Sequence, residues 1–226
     1  MSEELLQTVE RSTGSPVAGS VIWLHGLGAD GHDFESIVPE LRLAHAPLRF
    51  VFPHAPVRPV SINGGAPMRA WFDVIGLDLG APQDEAGIRE ADAQVRALVW
   101  RENERGTPTE RIVLAGFSQG GAMALHSGLR LPARLAGIIG LSTFLPLEWT
   151  VAAEAHAANR ATPVFLAHGT LDPLVPAELG QATRSFLERR AYPVEWKTYP
   201  IPHAVCAEEI DDVRDWLARA YAPPPR

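Results

Sequence analysis

The sequence predicts an α/β fold, a mostly parallel sheet with helices on both faces, and three observations carry that prediction. Runs of branched apolar residues recur along the chain, helical patterns lie between most of them, and one run delivers a glycine-flanked serine into the start of a helix. The strand-like runs are Ser20 to Leu24, Leu48 to Phe52, Ile112 to Ala115, Leu135 to Leu141, Val164 to Ala167 and Val194 to Tyr199. Ile88, Ala91, Val95, Leu98 and Val99 follow helical spacing, as do Ile210, Val213, Trp216 and Leu217. In such a sheet, loops at the carboxyl ends of the strands converge on one edge, so the residues just after each strand are the ones to weigh for chemistry.

Four strand ends carry suggestive groups. The first run is followed by His25-Gly26-Leu27-Gly28, the third by Gly116-Phe117-Ser118-Gln119-Gly120, the fifth by His168-Gly169-Thr170-Leu171-Asp172 and the last by Pro202-His203. Gly-x-Ser-x-Gly alone is a weak pattern. Its context is stronger: an apolar run precedes it, and Ala122, Leu125 and Leu129 form a helical stripe behind it that Pro132 ends. A serine in a sharp strand-to-helix corner needs residues without a Cβ two places to either side, and Gly116 and Gly120 supply them. Ser118 is therefore the candidate nucleophile. Ser118, Asp172 and His203 occur in the chain order of the α/β-hydrolase triad. Two plainer readings compete: Ser118 as a helix cap, and Asp172-Pro173 as a helix or turn start.

The 226 residues, 46% hydrophobic and 21% charged, suit one large domain spanning 1–226 with frayed ends near 1–4 and 222–226. A net charge of −7 argues against nucleic acid as a partner. The amino end lacks a signal-like segment, and no apolar run approaches the ~20 residues of a transmembrane helix, so a cytoplasmic location is expected. The single cysteine, Cys206, excludes an internal disulfide. It has no oxyanion loop or orienting acid around it and is not expected to act as a nucleophile.

Longer segments extend the pattern. LHGLGADGHDF from Leu24, FPHAP from Phe52, MRAWFDVIGL from Met68, GFSQGGAMAL from Gly116, LSTFLPL from Leu141, HGTLDPLVP from His168 and IPHAVCAEEI from Ile201 stand in one order along the chain. In that order they resemble the phospholipase/carboxylesterase family, which includes carboxylesterases and acyl-protein thioesterases of the α/β-hydrolase superfamily. The resemblance implies Ser118 as nucleophile, Asp172 as acid, His203 as base, and the backbone amides of Leu27 and Gln119 as the oxyanion hole. It also implies an apolar acyl channel beside Ser118 without a large lid.

The expected activity is hydrolysis of small acyl esters, extending to thioesters, with no cofactor. The alternatives are a protein or lipid acyl thioesterase or lysophospholipase, and a non-catalytic binding module on the same fold. Candidates for the acyl pocket are Trp71, Ile75, Leu77, Phe144, Leu145, Leu174, Val175 and Leu179, for each of which core packing is an equal reading. His25 and His168 are expected to brace their loops by hydrogen bonds. The spacing of His32, His45, His54, His126 and His156 points to no catalytic metal. A homodimer is left open.

Overall fold

The computed structural model describes residues 5–43, 47–76 and 81–222. Among these residues nine strands and six α-helices follow in the order β1 (Thr8–Ser12), β2 (Gly19–Leu24), α1 (Ile37–Glu40), β3 (Leu48–Pro53), β4 (Val57–Val60), β5 (Ala66–Arg69), α2 (Glu85–Glu104), β6 (Ile112–Phe117), α3 (Gln119–Arg130), β7 (Gly137–Leu141), α4 (Val151–Glu154), β8 (Val164–Gly169), α5 (Ala177–Glu188), β9 (Val194–Tyr199) and α6 (Ala207–Ala220). Seven strands form one sheet in the order β1-β3-β2-β6-β7-β8-β9, while β4 and β5 form a separate hairpin. All neighbours in the large sheet are parallel except β1, which runs antiparallel to β3. The fold is the predicted α/β class.

The inner strands are apolar throughout because helices cover both faces. Ile22, Leu24, Leu114, Ile138 and Leu166 pack on one face against α2, α3 and α5. Their neighbours Val21, Trp23, Val113, Ile139 and Phe165 pack on the other against α1 and α6. The predicted stripes are the buried ones: Ile88, Ala91, Val95, Leu98 and Val99 on α2, and Ile210, Val213, Trp216 and Leu217 on α6. Asp84 starts α2 by accepting the Gly87 N–H at 2.9 Å, a charge-assisted cap that offsets the helix's unpaired amides. Every residue of α3 is buried, since it runs along the middle of the sheet behind β6. At the other end of the sheet, the Tyr221 hydroxyl donates to the Ser20 carbonyl at 2.7 Å and to that of Arg111 at 3.3 Å.

The structure differs from the sequence reading at strand ends and in two added elements, and β6 and β8 run on to Phe117 and Gly169. The fourth strand begins at Gly137, not Leu135; Leu135 approaches it with its N–H given to Asn159 Oδ1 at 2.9 Å. Strand β1 was not expected. Its sequence TVERS has a single apolar residue, and it is held by edge pairing together with ion pairs from Glu10 to Arg105 (2.8 Å) and Arg101 (3.1 Å). The β4–β5 hairpin was also unexpected, because Pro59 and Pro67 face each other across it and proline reads against a strand except at an edge. Among the described residues no helix is long and apolar enough to cross a membrane.

Candidate active site

Ser118 stands between β6 and α3 at φ 54°, ψ −121°, a backbone conformation that costs about 1–3 kcal/mol for a residue with a side chain. The neighbouring contacts over-determine it. Its N–H donates to the Leu141 carbonyl at 2.8 Å, and its own carbonyl accepts from Ala122 N–H at 3.0 Å and Thr143 Oγ1 at 2.7 Å. The flanking glycines are required by close approach: a Cβ on Gly116 would lie 2.3 Å from the Gly120 carbonyl carbon, and one on Gly120 would lie 2.1 Å from the Leu24 carbonyl oxygen. The Ser118 side chain makes no helix-capping hydrogen bond, so the cap reading of this serine does not hold.

His203 follows β9 and Asp172 follows β8, and the parallel pairing of those strands brings the two loops side by side. The pair is joined by a 2.6 Å hydrogen bond between His203 Nδ1 and Asp172 Oδ2. Asp172's carboxylate is fully shielded from solvent, while the His203 side chain keeps 12% of its exposure. The other carboxylate oxygen, Oδ1, accepts the N–H groups of Leu174 and Val175, each at 2.9 Å. Asp172 thus does start a turn, as its Asp-Pro sequence predicts, and holds a histidine with the oxygen the turn leaves over. The His203 ring rests 4.7 Å from that of Phe117, the residue before Ser118.

A cavity of about 130 Å³ opens beside Ser118. Leu27 and Gln119 line it, and Gln119 opens α3, where the leading amides of a helix have no acceptor within it. The loop bearing Leu27 packs on the elbow: a Cβ at Gly26 would sit 3.5 Å from Ser118 Cβ. Ile75, Phe144, Val175 and Leu179, all expected in the pocket, line the cavity. Leu77 falls outside the described residues, as does His45. Trp71, Leu145 and Leu174 are corrections. Trp71 is wholly buried with its indole N–H on the His25 carbonyl at 2.9 Å, and Leu145 is buried in the core with its N–H on Thr183 Oγ1 at 2.9 Å. Leu174 turns outward and is 53% exposed. Apolar residues beside this sheet edge divide between core, cavity and rim, and spacing alone does not sort them.

Phe72, in the apolar stretch from Trp71 that the sequence offers as a pocket lining, also lines the cavity, and Ile62 does so without having been expected. The Gln119 side chain, likewise missed, fixes the segment that carries Phe72: its Oε1 accepts the Trp71 N–H at 2.8 Å and its Nε2 donates to the Phe72 carbonyl at 2.7 Å. Those partners are nearly fifty residues away in sequence, and nothing local announces them. Thr143 carried a usable signal, since it follows β7 at the same sheet edge. Two histidines do brace loops: His25 Nε2 accepts the Ala55 N–H at 3.0 Å, and His168 Nε2 reaches the Val175 carbonyl at 2.8 Å. Burial pushes His25 down to about 4, so its ring is neutral at pH 7.

Residues 7–220 match the phospholipase/carboxylesterase family. Acyl-protein thioesterase 1 of Neurospora crassa is 40% identical over 223 residues, covering 94% of this chain and 89% of that protein. Acyl-protein thioesterase 1 of Mycosarcoma maydis is 40% identical over 226 residues, covering 92% and 93%. Among solved structures, Arabidopsis thaliana SOBER1 superposes with a TM-score of 0.85 at 34% identity, covering 90% of this chain and 99% of that one. Zea mays acyl-protein thioesterase 2 superposes with a TM-score of 0.83 at 30% identity, covering 96% and 99%. The strand order, the strained serine corner and these likenesses agree: the chain belongs to the phospholipase/carboxylesterase family of α/β-hydrolases and is a hydrolase of acyl esters or thioesters.

Proposed function

We propose that the chain cleaves carboxylic esters and acyl thioesters through an acyl-enzyme on Ser118, with His203 as general base and acid and Asp172 as its orienting carboxylate. The observation that carries this reading is the 2.6 Å bond from His203 Nδ1 to the buried Asp172 carboxylate. It commits Nδ1 to a hydrogen and leaves Nε2 as the nitrogen free to accept a proton. In the first step Ser118 Oγ attacks the acyl carbonyl while its proton passes to His203 Nε2. Charge moves onto the carbonyl oxygen, where the backbone amides of Leu27 and Gln119 donate to it; losing one such donor costs ~10²–10³ in turnover. The imidazolium, stabilised by Asp172, protonates the departing alcohol or thiol, and water then releases the acyl group by the reverse sequence. The acyl chain lies in the cavity lined by Phe72, Ile75, Phe144, Val175 and Leu179.

A protein or lipid acyl thioesterase as the main activity is the second reading, favoured by the acyl-protein thioesterase relatives at about 40% identity. Intact-mass spectrometry after treatment with a fluorophosphonate tests the shared mechanism. One adduct on the wild type and none on Ser118→Ala is expected; no adduct on folded wild type would move the non-catalytic binding module to first place. A series of acyl esters then separates the two activities. A short-chain optimum favours the esterase, and release of palmitate from a lipidated protein favours the thioesterase.

A further inference from the structure

We infer that His168 is a positioning residue for the acid side of the site, its Nε2–H fixing the Val175 wall of the acyl cavity and, through the Val175 amide, the Asp172 carboxylate. The inference rests on the proposed role of Asp172. His168 lies at the end of β8 and is completely buried. Its Nε2 is 2.8 Å from the Val175 carbonyl and 3.6 Å from Asp172 Oδ2. A carbonyl only accepts, so Nε2 carries the hydrogen and Nδ1 the lone pair. The Val175 N–H, on the other side of the same residue, returns to Asp172 Oδ1. The bonds form a chain through one residue: the imidazole Nε2–H to the Val175 carbonyl, and the Val175 amide to the carboxylate, with Nε2 itself standing 3.6 Å from Oδ2, outside hydrogen-bond distance. A shift of the turn that carried Oδ2 away from His203 would have to break one of these two bonds.

The imidazole has little freedom of its own. A Cβ on Gly180 of α5 would come within 2.4 Å of its Nδ1, and the Trp196 ring of β9 stands 6.2 Å from it. Nδ1 has no hydrogen-bond partner among the described residues. A ring kept only to fill this space would be better as phenylalanine, because a buried nitrogen without a partner is costly. The one engaged atom, Nε2, is therefore the reason for a histidine here. Burial also lowers the His168 pKa from its ordinary value, so the ring is a neutral donor beside the Asp172–His203 pair and adds no competing positive charge.

The test compares steady-state hydrolysis of a short acyl ester by wild type, His168→Phe and His168→Gln, with Ser118→Ala as reference. Glutamine places an amide N–H where Nε2 was; phenylalanine keeps the shape and removes the donor. A kcat about tenfold to a hundredfold lower in His168→Phe, with KM little changed and most of the kcat restored in His168→Gln, is the expected result. A filling role gives the opposite order, with His168→Phe retaining kcat and His168→Gln losing it, and that order overturns the inference. Should His168→Phe not fold, the ¹⁵N spectrum of wild type decides: an Nε2–H tautomer at His168 supports the inference and an Nδ1–H tautomer overturns it. Turnover surviving in Ser118→Ala would instead sink the acyl-enzyme reading, whatever the order of the His168 variants.

Discussion

The cleft beside Ser118 has two walls of different construction. The wall at residues 172–175 is closed locally, with Asp172 Oδ1 holding the amides two and three residues ahead and His168 locking the same turn. The wall at residues 61–76 is tied by distant partners. Gln119 holds Trp71 and Phe72, the His25 carbonyl holds the Trp71 indole, Asp73 accepts from the Ser61 amide at 2.7 Å and hydroxyl at 2.5 Å, and the Asp73 amide donates to Asp84 Oδ2 at 2.9 Å. The first wall carries the proposed acid and the second carries Ile62, Phe72 and Ile75 to the cavity. A locally closed turn keeps its geometry with little help from the rest of the chain, whereas a wall tied to α3 is only as well placed as the buried amide that ties it. Chemistry and acyl selectivity are thereby open to separate perturbation.

The strongest way to sharpen the comparison is Asp172→Asn. The amide oxygen can still accept from Leu174 and Val175, but the group no longer holds His203 in the tautomer that leaves Nε2 free; kcat should fall by about 10⁴. Chain-length preference, measured on the residual turnover, should stay unchanged. A shift in preference would mean that the two walls are coupled.

Next in size is Gln119→Leu, which leaves the Trp71 N–H and the Phe72 carbonyl buried without partners, a loss of roughly 1–3 kcal/mol of stability for each group. Denaturant unfolding measures that loss, and the acyl series should show a broadened chain-length profile with kcat on the shortest ester nearly kept. An equal fall in kcat for every ester, with the profile intact, would break the comparison.

The third effect is one of pH. His25 props the 61–76 wall and must stay neutral to accept the Ala55 N–H; burial holds it at about 4, below the ordinary 6.5. Since the unfolded chain binds the proton first, stability is full above about 6.5 and declines as pH falls from there to about 4, by about 3 kcal/mol for this group. Melting temperatures of wild type and His25→Gln across pH 7 to 4 isolate the contribution. Parallel curves would show that His25 contributes none of the acid sensitivity.

The same contrast explains what could be read from the sequence. The elbow was legible because its requirements are local: Ile112 to Ala115 must be apolar to cross the core, and Gly116 and Gly120 must lack a Cβ within a few residues of the serine. The Asp172 turn was legible for a similar reason, since Asp-Pro and the amides that donate to its carboxylate lie within four residues. The other wall was not. Trp71 reads as a pocket residue from its neighbours, and only the long-range bond to His25 shows that it faces the core. Gln119 was singled out for its backbone, while its side chain, which reaches back to residues 71 and 72, had no local signature. Strand β1 and the hairpin were hidden by polar and proline-containing sequences that only edge positions tolerate.

Tyr221 has a practical consequence. Its hydroxyl pins the end of α6 to Ser20 and Arg111, at the amino ends of β2 and β6, while Ser118 stands beyond the carboxyl end of β6. A strand of this length spans ~20 Å, so the carboxyl end of α6 and the cleft lie on opposite rims of the sheet. An enzyme grafted to a bead by a linker beyond Tyr221 therefore presents its cleft to the bulk liquid. Its kcat/KM on the support should match that in free solution, and a marked drop for that attachment alone would show that the linker route reaches the cleft after all.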